Sequence, residues 1–438
     1  MNRAKWRTSE QRPGLAAVAA VAAALVLAGC SPEPSAPGAA PSTTPATTGP
    51  TAAQQGCVPD PAAVVKAAPQ NRTAGLPAAL VGELDAAVAA AFAETGAPGA
   101  VVGVSNDRGT WVKGYGLANA ATGEAMPANA HTRVGSVTKT FTGTAIVQLD
   151  AAGALSLDDT ISEYRADVPN GDRITLRMLS NMTSGVASYT FNEEFLDTMF
   201  SDPSQSFASP DLIRIGLADS PSFEPGTSFE YSNTNTLLLG SVVEQVTGKP
   251  LATVVNESII TPLGLAETSW PGTSPEMPEP YAHGVTQQGR DDGSLQDPTH
   301  WNPSWGAAAG EVISTVPDLL AYGHALATGQ GILDPAAAEK RLTEFPAGKA
   351  AYGTGYACYG GWVGHEGTLP GYNTHMVYDT GSNTTAVVAV NSDIHAGACT
   401  PGSPTPQDLS DGRCLSPAVR ILIPLTKALG HELVPPGS

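Results

Sequence analysis

Residues 133–143 read Arg-Val-Gly-Ser-Val-Thr-Lys-Thr-Phe-Thr-Gly and contain the only Ser-x-x-Lys of the chain, Ser136 to Lys139. Apolar residues from Val137 to Leu149 recur at helical spacing, which predicts a helix over residues 136–152. Positions three apart share a helix face, so the amine of Lys139 can reach the hydroxyl of Ser136. Burial lowers the pKa of a lysine, and a neutral lysine can take the proton that activates a serine. The stretch therefore predicts a nucleophile with its base at a helix N-terminus, where backbone N–H groups stabilise an oxyanion.

A second short motif, Tyr231-Ser232-Asn233, offers a proton carrier and an amide. A tyrosine near Lys139 can pass the proton of Ser136 to a leaving group. The amide of Asn233 can bind both Lys139 and a substrate carbonyl. Taken singly, such a tyrosine is more often a core aromatic and such an asparagine a loop cap.

A third motif, His365-Glu366-Gly367-Thr368, follows a predicted strand over residues 360–363. This strand is expected to form the far wall of a substrate cleft. Gly367 would let a substrate approach the backbone closely. The N–H of Thr368 would complete an oxyanion hole with the N–H of Ser136. Taken alone, a histidine at a strand end is more often structural.

The three motifs in this order are similar to the signature of serine β-lactamases and penicillin-binding proteins. The variant with Tyr-Ser-Asn and His-x-Gly most resembles the soluble D-Ala-D-Ala carboxypeptidases and the class C β-lactamases. The similarity covers residues 76–430. Further segments match in family order: Arg133 to Gly135, Ile174 to Arg177, Thr183 to Gly185, Pro225 to Thr227, Pro262 to Gly264, and Gly310 to Ser314.

This resemblance implies a role for each motif residue. Ser136 would form an acyl-enzyme, and Lys139 and Tyr231 would carry protons. The substrate would be lined by Asn233 and His365. Trp305 resembles the aromatic wall of the carboxypeptidase site, with core packing as an equal alternative. We expect no cofactor and no metal.

One position departs from the family pattern. Carboxypeptidases hold the terminal carboxylate of D-Ala-D-Ala with a hydroxyl at the middle of the third motif and a nearby arginine. Here the middle residue is Glu366, and no arginine lies between Lys349 and Thr380. An ionised Glu366 would repel a substrate carboxylate, unless it points to solvent or pairs with a distant cation. The departure favours an ester or amide that is neutral or cationic near the scissile bond.

The periodicity of the rest of the chain predicts an α/β (α+β) fold. Helices are predicted over 76–96, 237–246 and 417–429, a hairpin over 100–116, and strands over 360–363, 374–378 and 385–391. Strand character is expected to return after Gly310. The order predicts an antiparallel β-sheet flanked by N- and C-terminal helices, with a mostly helical lobe inserted at about 155–305. The resemblance implies a β-lactamase/transpeptidase-like domain over 76–438, with its ligand in the cleft between the lobes.

The N-terminal residues have the pattern of an export signal. A basic head is followed by an apolar run from Leu15 to Leu27 that ends in Leu-Ala-Gly-Cys at Cys30. This ending is similar to the lipobox of bacterial lipoproteins, which implies a signal peptide over 1–29 and lipid on Cys30. An ordinary secretory signal with a chance cysteine is the alternative. Residues 30–75 are predicted to be a tether rich in Pro, Ser and Thr. We expect a monomer anchored on the outer face of the bacterial cell membrane.

Cysteine usage agrees with export. Four cysteines follow Cys30, and an even number predicts two disulfides with three possible pairings. Cys399 and Cys414 flank a loop rich in Pro, Gly and Ser and are the favoured pair, which leaves Cys57 with Cys358. Free buried thiols are the alternative. The spacing does not indicate zinc.

Composition narrows the class of function. A formal charge of −19, from 41 acidic and 22 basic residues, argues against nucleic acid and against electrostatic docking on anionic lipid. The chain has neither the Gly-x-Ser-x-Gly of α/β-hydrolases nor the His-Glu-x-x-His of zinc peptidases.

Three hypotheses stay open: a carboxypeptidase-like or β-lactam-interacting hydrolase on cell-wall peptides, an esterase with the same acyl-enzyme chemistry, and a non-catalytic binding lipoprotein. The presence of every side chain needed for acylation favours an enzyme with a small-molecule or peptide substrate.

Overall fold

The computed structural model describes residues 56–345, 350–397, 399 and 414–433. Its strands are β1 Gly99–Asn106, β2 Gly109–Asn119, β3 Glu124–Ala125, β4 Thr132–Arg133, β5 Ile313–Ser314, β6 Ala350–Tyr352, β7 Ala357–Tyr359, β8 Trp362–Leu369, β9 Tyr372–Asp379, β10 Thr384–Val390, β11 Ala396–Gly397 and β12 Cys414–Leu415. Its α-helices are α1 Pro61–Val65, α2 Ala78–Ala93, α3 Thr138–Ala151, α4 Leu176–Ser180, α5 Glu193–Ser201, α6 Ser209–Ala218, α7 Asn233–Thr247, α8 Leu251–Val255, α9 Thr261–Leu263, α10 Ala307–Gly310, α11 Val316–Thr328, α12 Pro335–Thr343 and α13 Pro417–Ala428.

The centre of the protein is an antiparallel eight-stranded sheet in the order β3-β2-β1-β10-β9-β8-β7-β6. Strands β1, β9 and β10 are buried at every position, because both faces of the sheet are covered. β1 and β10 are accordingly rich in Val and Ala and lack the alternation of a half-exposed strand. The α+β fold class predicted from the sequence is therefore confirmed.

Two apolar cores lie on the two faces of the sheet. On one face α2 and α13 pack together, and Leu84 and Leu422 meet Val102 and Val388 there. On the other face α11 packs on β1, β9 and β10, and the core continues into the helices between residues 138 and 263. Each fully buried aliphatic side chain of this kind contributes roughly 1.5–3 kcal/mol to folding.

Two elements differ from the sequence prediction. After the two-residue strand β5, the chain passes through two helices, α11 and α12, before the strands of the main sheet resume at β6. Helix α11 begins at Thr315, whose hydroxyl caps Asp318 N, and ends at Gly329 in the left-handed conformation. Most of its residues are buried, so it lacks the polar face by which an amphipathic helix is recognised.

The folded part begins earlier than residue 76. Asp60 caps α1, Val64 in that helix is 2% exposed, and Cys57 is bonded to Cys358 of β7. Residues 56–75, predicted to be part of the tether, thus contain a helix that packs on α11 and α12. The predicted signal peptide, the lipidated Cys30 and residues 31–55 of the tether lie outside the described residues. Within the described part of the chain, no helix has the length and apolar character needed to cross a membrane.

Both disulfides favoured by the sequence are present in the structure. Cys57 is bonded to Cys358 across 301 positions, and Cys399 to Cys414 across 15. The first bond fastens the N-terminal segment to β7, beside the strand that carries the third motif.

Candidate active site

Ser136 and Lys139 are brought together by a change of helix type. Ser136 lies in a short 3₁₀ turn, Gly135–Val137, which continues directly into α3. Lys139 is 1% exposed, and its Nζ lies 2.9 Å from Ser136 Oγ. Burial lowers the pKa of Lys139 well below its usual value. Burial thus favours the neutral form of the amine, which is the form that can accept the proton of Ser136.

A backbone carbonyl fixes the lysine from the other side. Lys139 Nζ donates to Ala309 O at 2.8 Å. Helix α10, which contains Ala309, is fastened to α3 because Thr142 Oγ1 donates to Ala308 O and Val312 N donates to Thr138 Oγ1. The sequence analysis missed this acceptor, since a main-chain carbonyl leaves no side-chain signal.

Tyr231 lies just before α7, with its ring against the lysine. Lys139 Nζ is 4.9 Å from the centre of the Tyr231 ring. Burial raises the pKa of Tyr231, while a side-chain interaction with Ser136 acts in the opposite direction. The hydroxyl consequently stays protonated at neutral pH. Tyr231 is thus a proton donor in the resting site rather than a phenolate base.

Asn233 is held differently from the sequence prediction. Its Nδ2 donates to Thr190 Oγ1 at 2.9 Å, and its backbone N donates to Ser188 Oγ at 3.0 Å. No hydrogen bond joins it to Lys139 among the residues that the structure describes. Lys139 Nζ donates to Ser136 and Ala309 instead, and binding of a substrate carbonyl by Asn233 stays a prediction. Ser188 and Thr190, which the sequence analysis missed, position Asn233.

His365 is buried and neutral. Its Nδ1 contacts the carbonyl oxygen of Glu366, which can only accept a hydrogen bond, so Nδ1 carries the proton. Nε2 therefore accepts from the hydroxyl of Tyr352 at 2.9 Å. Burial is the main cause that lowers the pKa of His365 to about 3, and a positive charge on Lys139 acts in the same direction. Tyr352 was not predicted from the sequence, because it precedes the third motif by 13 residues and lies on β6.

Two glycines let β8 touch the turn that carries Ser136. Gly135 has φ +54°, and a Cβ there would lie 2.9 Å from Thr368 N. A Cβ on Gly367 would lie 2.8 Å from Ser136 N and would overlap the carbonyl oxygen of Val134. The two backbone nitrogens predicted to bind an oxyanion are thus neighbours. The lack of a side chain at Gly367 lets the backbone of residues 134–136 approach β8 closely. The sequence had predicted a close approach by the substrate at this position.

Glu366 and Trp305 lie at the margin of this centre. Glu366 is half-buried, and its Oε1 accepts from Asn373 Nδ2 at 3.0 Å and from Ser416 Oγ at 2.8 Å. Trp305 ends a short 3₁₀ turn just before α10 and is half-buried against the main core. Within the described residues, no group of three His, Cys, Asp or Glu side chains is placed to hold a metal ion.

A serine beside a buried lysine whose pKa is lowered, next to two neighbouring backbone nitrogens, is the arrangement of a serine hydrolase that works through an acyl-enzyme. Sequence comparison leads to the same class of protein. The family model described as Beta-lactamase matches residues 84–398, and the chain belongs to this family.

Solved structures support the assignment. A D-stereospecific amidohydrolase from Streptomyces sp. is 32% identical with a TM-score of 0.66, over 71% of this chain and 94% of that one. The D-amino acid amidase of Ochrobactrum anthropi SV3, complexed with D-phenylalanine, is 25% identical with a TM-score of 0.67, over 81% of this chain and 99% of that one.

The matches to curated proteins cover a smaller share of both chains than the matches to solved structures. The putative penicillin-binding protein PbpX of Bacillus subtilis (strain 168) is 25% identical over 265 residues, which are 60% of this chain and 62% of that protein. The protein flp of Staphylococcus aureus (strain COL) is 32% identical over 186 residues, and the match spans 36% of its length. The chain therefore matches less than two thirds of the length of these relatives.

Proposed function

We propose that the protein hydrolyses amides and esters of D-amino acids through an acyl-enzyme on Ser136. The observation that carries the chemistry is the 2.9 Å contact between Ser136 Oγ and the buried amine of Lys139, whose pKa is lowered by burial. The similarity to a D-stereospecific amidohydrolase and to a D-amino acid amidase supports the substrate class.

The reaction follows from the positions of the protons. Ser136 Oγ attacks the substrate carbonyl, its proton passes to Lys139, and the backbone N–H groups of Ser136 and Thr368 stabilise the oxyanion. Tyr231 donates its proton to the leaving amine or alcohol as the scissile bond breaks, and it regains one from Lys139. Water then attacks the ester on Ser136, loses a proton to the same base, and releases the acid with Ser136 protonated again.

Glu366 supports an amide or ester over a carboxyl-terminal peptide. In D-Ala-D-Ala carboxypeptidases the corresponding hydroxyl helps to bind the substrate carboxylate. A carboxylate fixed there by Asn373 and Ser416 repels that group. Primary amides and simple esters carry no charge at this point, and they escape the repulsion.

A penicillin-binding peptidase is the second candidate. It is favoured by the similarity to the putative penicillin-binding protein PbpX. Such a protein would form a long-lived adduct with a β-lactam on the same serine.

The test compares the mature protein with its Ser136→Ala variant on D-phenylalaninamide, L-phenylalaninamide and benzylpenicillin. We expect ammonia release from the D-amide only, and complete loss of it in Ser136→Ala with an unchanged circular dichroism spectrum. A stable penicilloyl mass on Ser136 without amide hydrolysis would instead establish the peptidase. If the protein neither hydrolyses nor forms an adduct with any of the three compounds, a binding lipoprotein would be favoured.

We further propose that Cys30 is lipidated and holds the enzyme on the outer face of the membrane. The support is the Leu-Ala-Gly-Cys ending of the apolar run. Cells grown with labelled palmitate should incorporate label into the wild-type protein and not into Cys30→Ala. Equal labelling of both proteins would contradict the anchor.

A further inference from the structure

Glu366 is a carboxylate held in a fixed position, and within the described residues it has no cationic partner. One of its oxygens, Oε1, accepts hydrogen bonds from Asn373 and Ser416. In the part of the chain that the structure describes, Glu366 forms no ion pair, and its second oxygen accepts no hydrogen bond. A partly desolvated carboxylate gains most from a positive charge that comes to it.

The side chain stands on the part of β8 that lies beyond β7. In this strand only Glu366 and Thr368 are partly exposed, and every other position is buried. Among the described residues, β7 pairs with β8 only as far as Gly364, and the edge of β8 beyond it lies against the turn Gly135–Val137. Asn373 Nδ2 binds both Glu366 Oε1 and Thr368 Oγ1. The carboxylate is thereby tied to the residue whose N–H lies beside Ser136.

The histidines near Glu366 leave its charge unpaired. His375 pairs with Glu366 in the sheet register, is 3% exposed, and has no hydrogen-bond partner on either ring nitrogen in the described structure. Burial lowers the pKa of His375 and of His395, while the charge of Glu366 acts in the opposite direction on both. Both rings are therefore neutral at neutral pH.

Glu366 also acts electrostatically on two nearby tyrosines. Its charge adds to the effect of burial in raising the pKa of Tyr231, and also that of Tyr359. Glu366 is thus within electrostatic reach of the residue that protonates the leaving group in the proposed reaction.

We propose that Glu366 forms a subsite for a protonated amine in the leaving group, so that the enzyme prefers amides of diamines to amides of simple amines or amino acids. The proposal rests on the proposed acyl-enzyme function and adds a specificity to it. The ammonium would lie a few bonds beyond the scissile nitrogen and bind the free oxygen of Glu366. An anionic leaving group would meet the same carboxylate and be repelled.

Three matched amides of D-phenylalanine test this subsite. Their leaving amines are 1,3-diaminopropane, butylamine and 4-aminobutyrate, which end in a cation, a methyl group and an anion. We expect wild-type kcat/KM to fall in that order, with about tenfold between the first two, as for a charge pair worth about 1.4 kcal/mol. Glu366→Gln keeps an acceptor for Asn373 and Ser416 and should reduce that ratio to about one.

Glu244→Gln is the matched control, because it removes one negative charge at an exposed position of α7. The ratio should stay at its wild-type value in this variant. Equal wild-type rates on the three amides, or an unchanged ratio in Glu366→Gln, would overturn the subsite and leave the hydrolase intact. No hydrolysis of any amide, with Ser136 unreactive toward a fluorophosphonate, would overturn both proposals.

Discussion

The protonation state of Lys139 decides whether Ser136 is a nucleophile. A lysine on the surface has a pKa near 10.4 and is charged at neutral pH. Lys139 is enclosed by α3, α10 and the ring of Tyr231, and this burial favours the neutral amine. The neighbouring tyrosine is affected by burial in the opposite direction, so it keeps its proton. Burial disfavours the charged form of both groups. It therefore favours Lys139 as the base and keeps Tyr231 as the acid.

The directions of the pKa shifts of Lys139 and Tyr231 predict how kcat/KM depends on pH. Acylation needs neutral Lys139, whose pKa is lowered, and protonated Tyr231, whose pKa is raised. The kcat/KM for D-phenylalanine methyl ester should therefore be level from neutral to mildly alkaline pH and fall in acid, as Lys139 takes up a proton. The profile is measured between pH 5 and pH 10, and the ester removes ammonia release as a complication. A rate that rises steadily to pH 10 would mean that Lys139 keeps an ordinary pKa.

At the scale of elements, the site depends on the contact between β8 and the turn Gly135–Val137. Gly367 has no room for a Cβ, because the carbonyl oxygen of Val134 and the nitrogen of Ser136 occupy that space. A side chain there must push the strand and the turn apart. The N–H of Thr368 then leaves the position at which it faces the oxyanion.

Gly367→Ala should accordingly lose at least about 100-fold in kcat/KM, the usual effect of removing one oxyanion donor. Substrate KM should change less than kcat, because the oxyanion forms only in the transition state. Gly82→Ala is the control, since that glycine has open space around it in α2 and alanine favours a helix. Full activity in Gly367→Ala would show that Thr368 does not serve the oxyanion.

At the scale of the whole molecule, the bond between Cys57 and Cys358 closes a loop that contains every described element from α1 to β6. It joins residues 301 positions apart, whereas the second bond spans 15. A crosslink that closes a longer loop removes more entropy from the unfolded chain. The N-terminal segment is consequently held against β7 and the helices α11 and α12.

Replacing Cys57 and Cys358 together by alanine should lower the free energy of unfolding more than replacing Cys399 and Cys414. The loop-entropy relation gives a difference of about 2–3 kcal/mol between the two pairs. Urea unfolding of both double variants, followed by fluorescence, measures it. Equal losses would indicate that the long bond stabilises the native state by local packing alone.

The sequence by itself determined the chemistry and the broad fold. Ser136 and Lys139 are three positions apart in one helical segment, and β1 and β10 are largely apolar runs, so local spacing and composition were sufficient for both. Local spacing did not predict α11, because this helix is buried nearly all round. It also did not predict the helix within residues 56–75, because the composition of that segment resembles a linker.

The tertiary structure alone decided which groups surround those residues. Ala309 reaches Lys139 across 170 positions and Tyr352 reaches His365 from β6, and neither contact follows from local spacing. The same holds for Glu366, whose partner Ser416 is 50 residues away. The physical reason is that burial and charge depend on what packs around a side chain. A sequence motif names the reacting groups, and the folded environment sets their protonation and their partners.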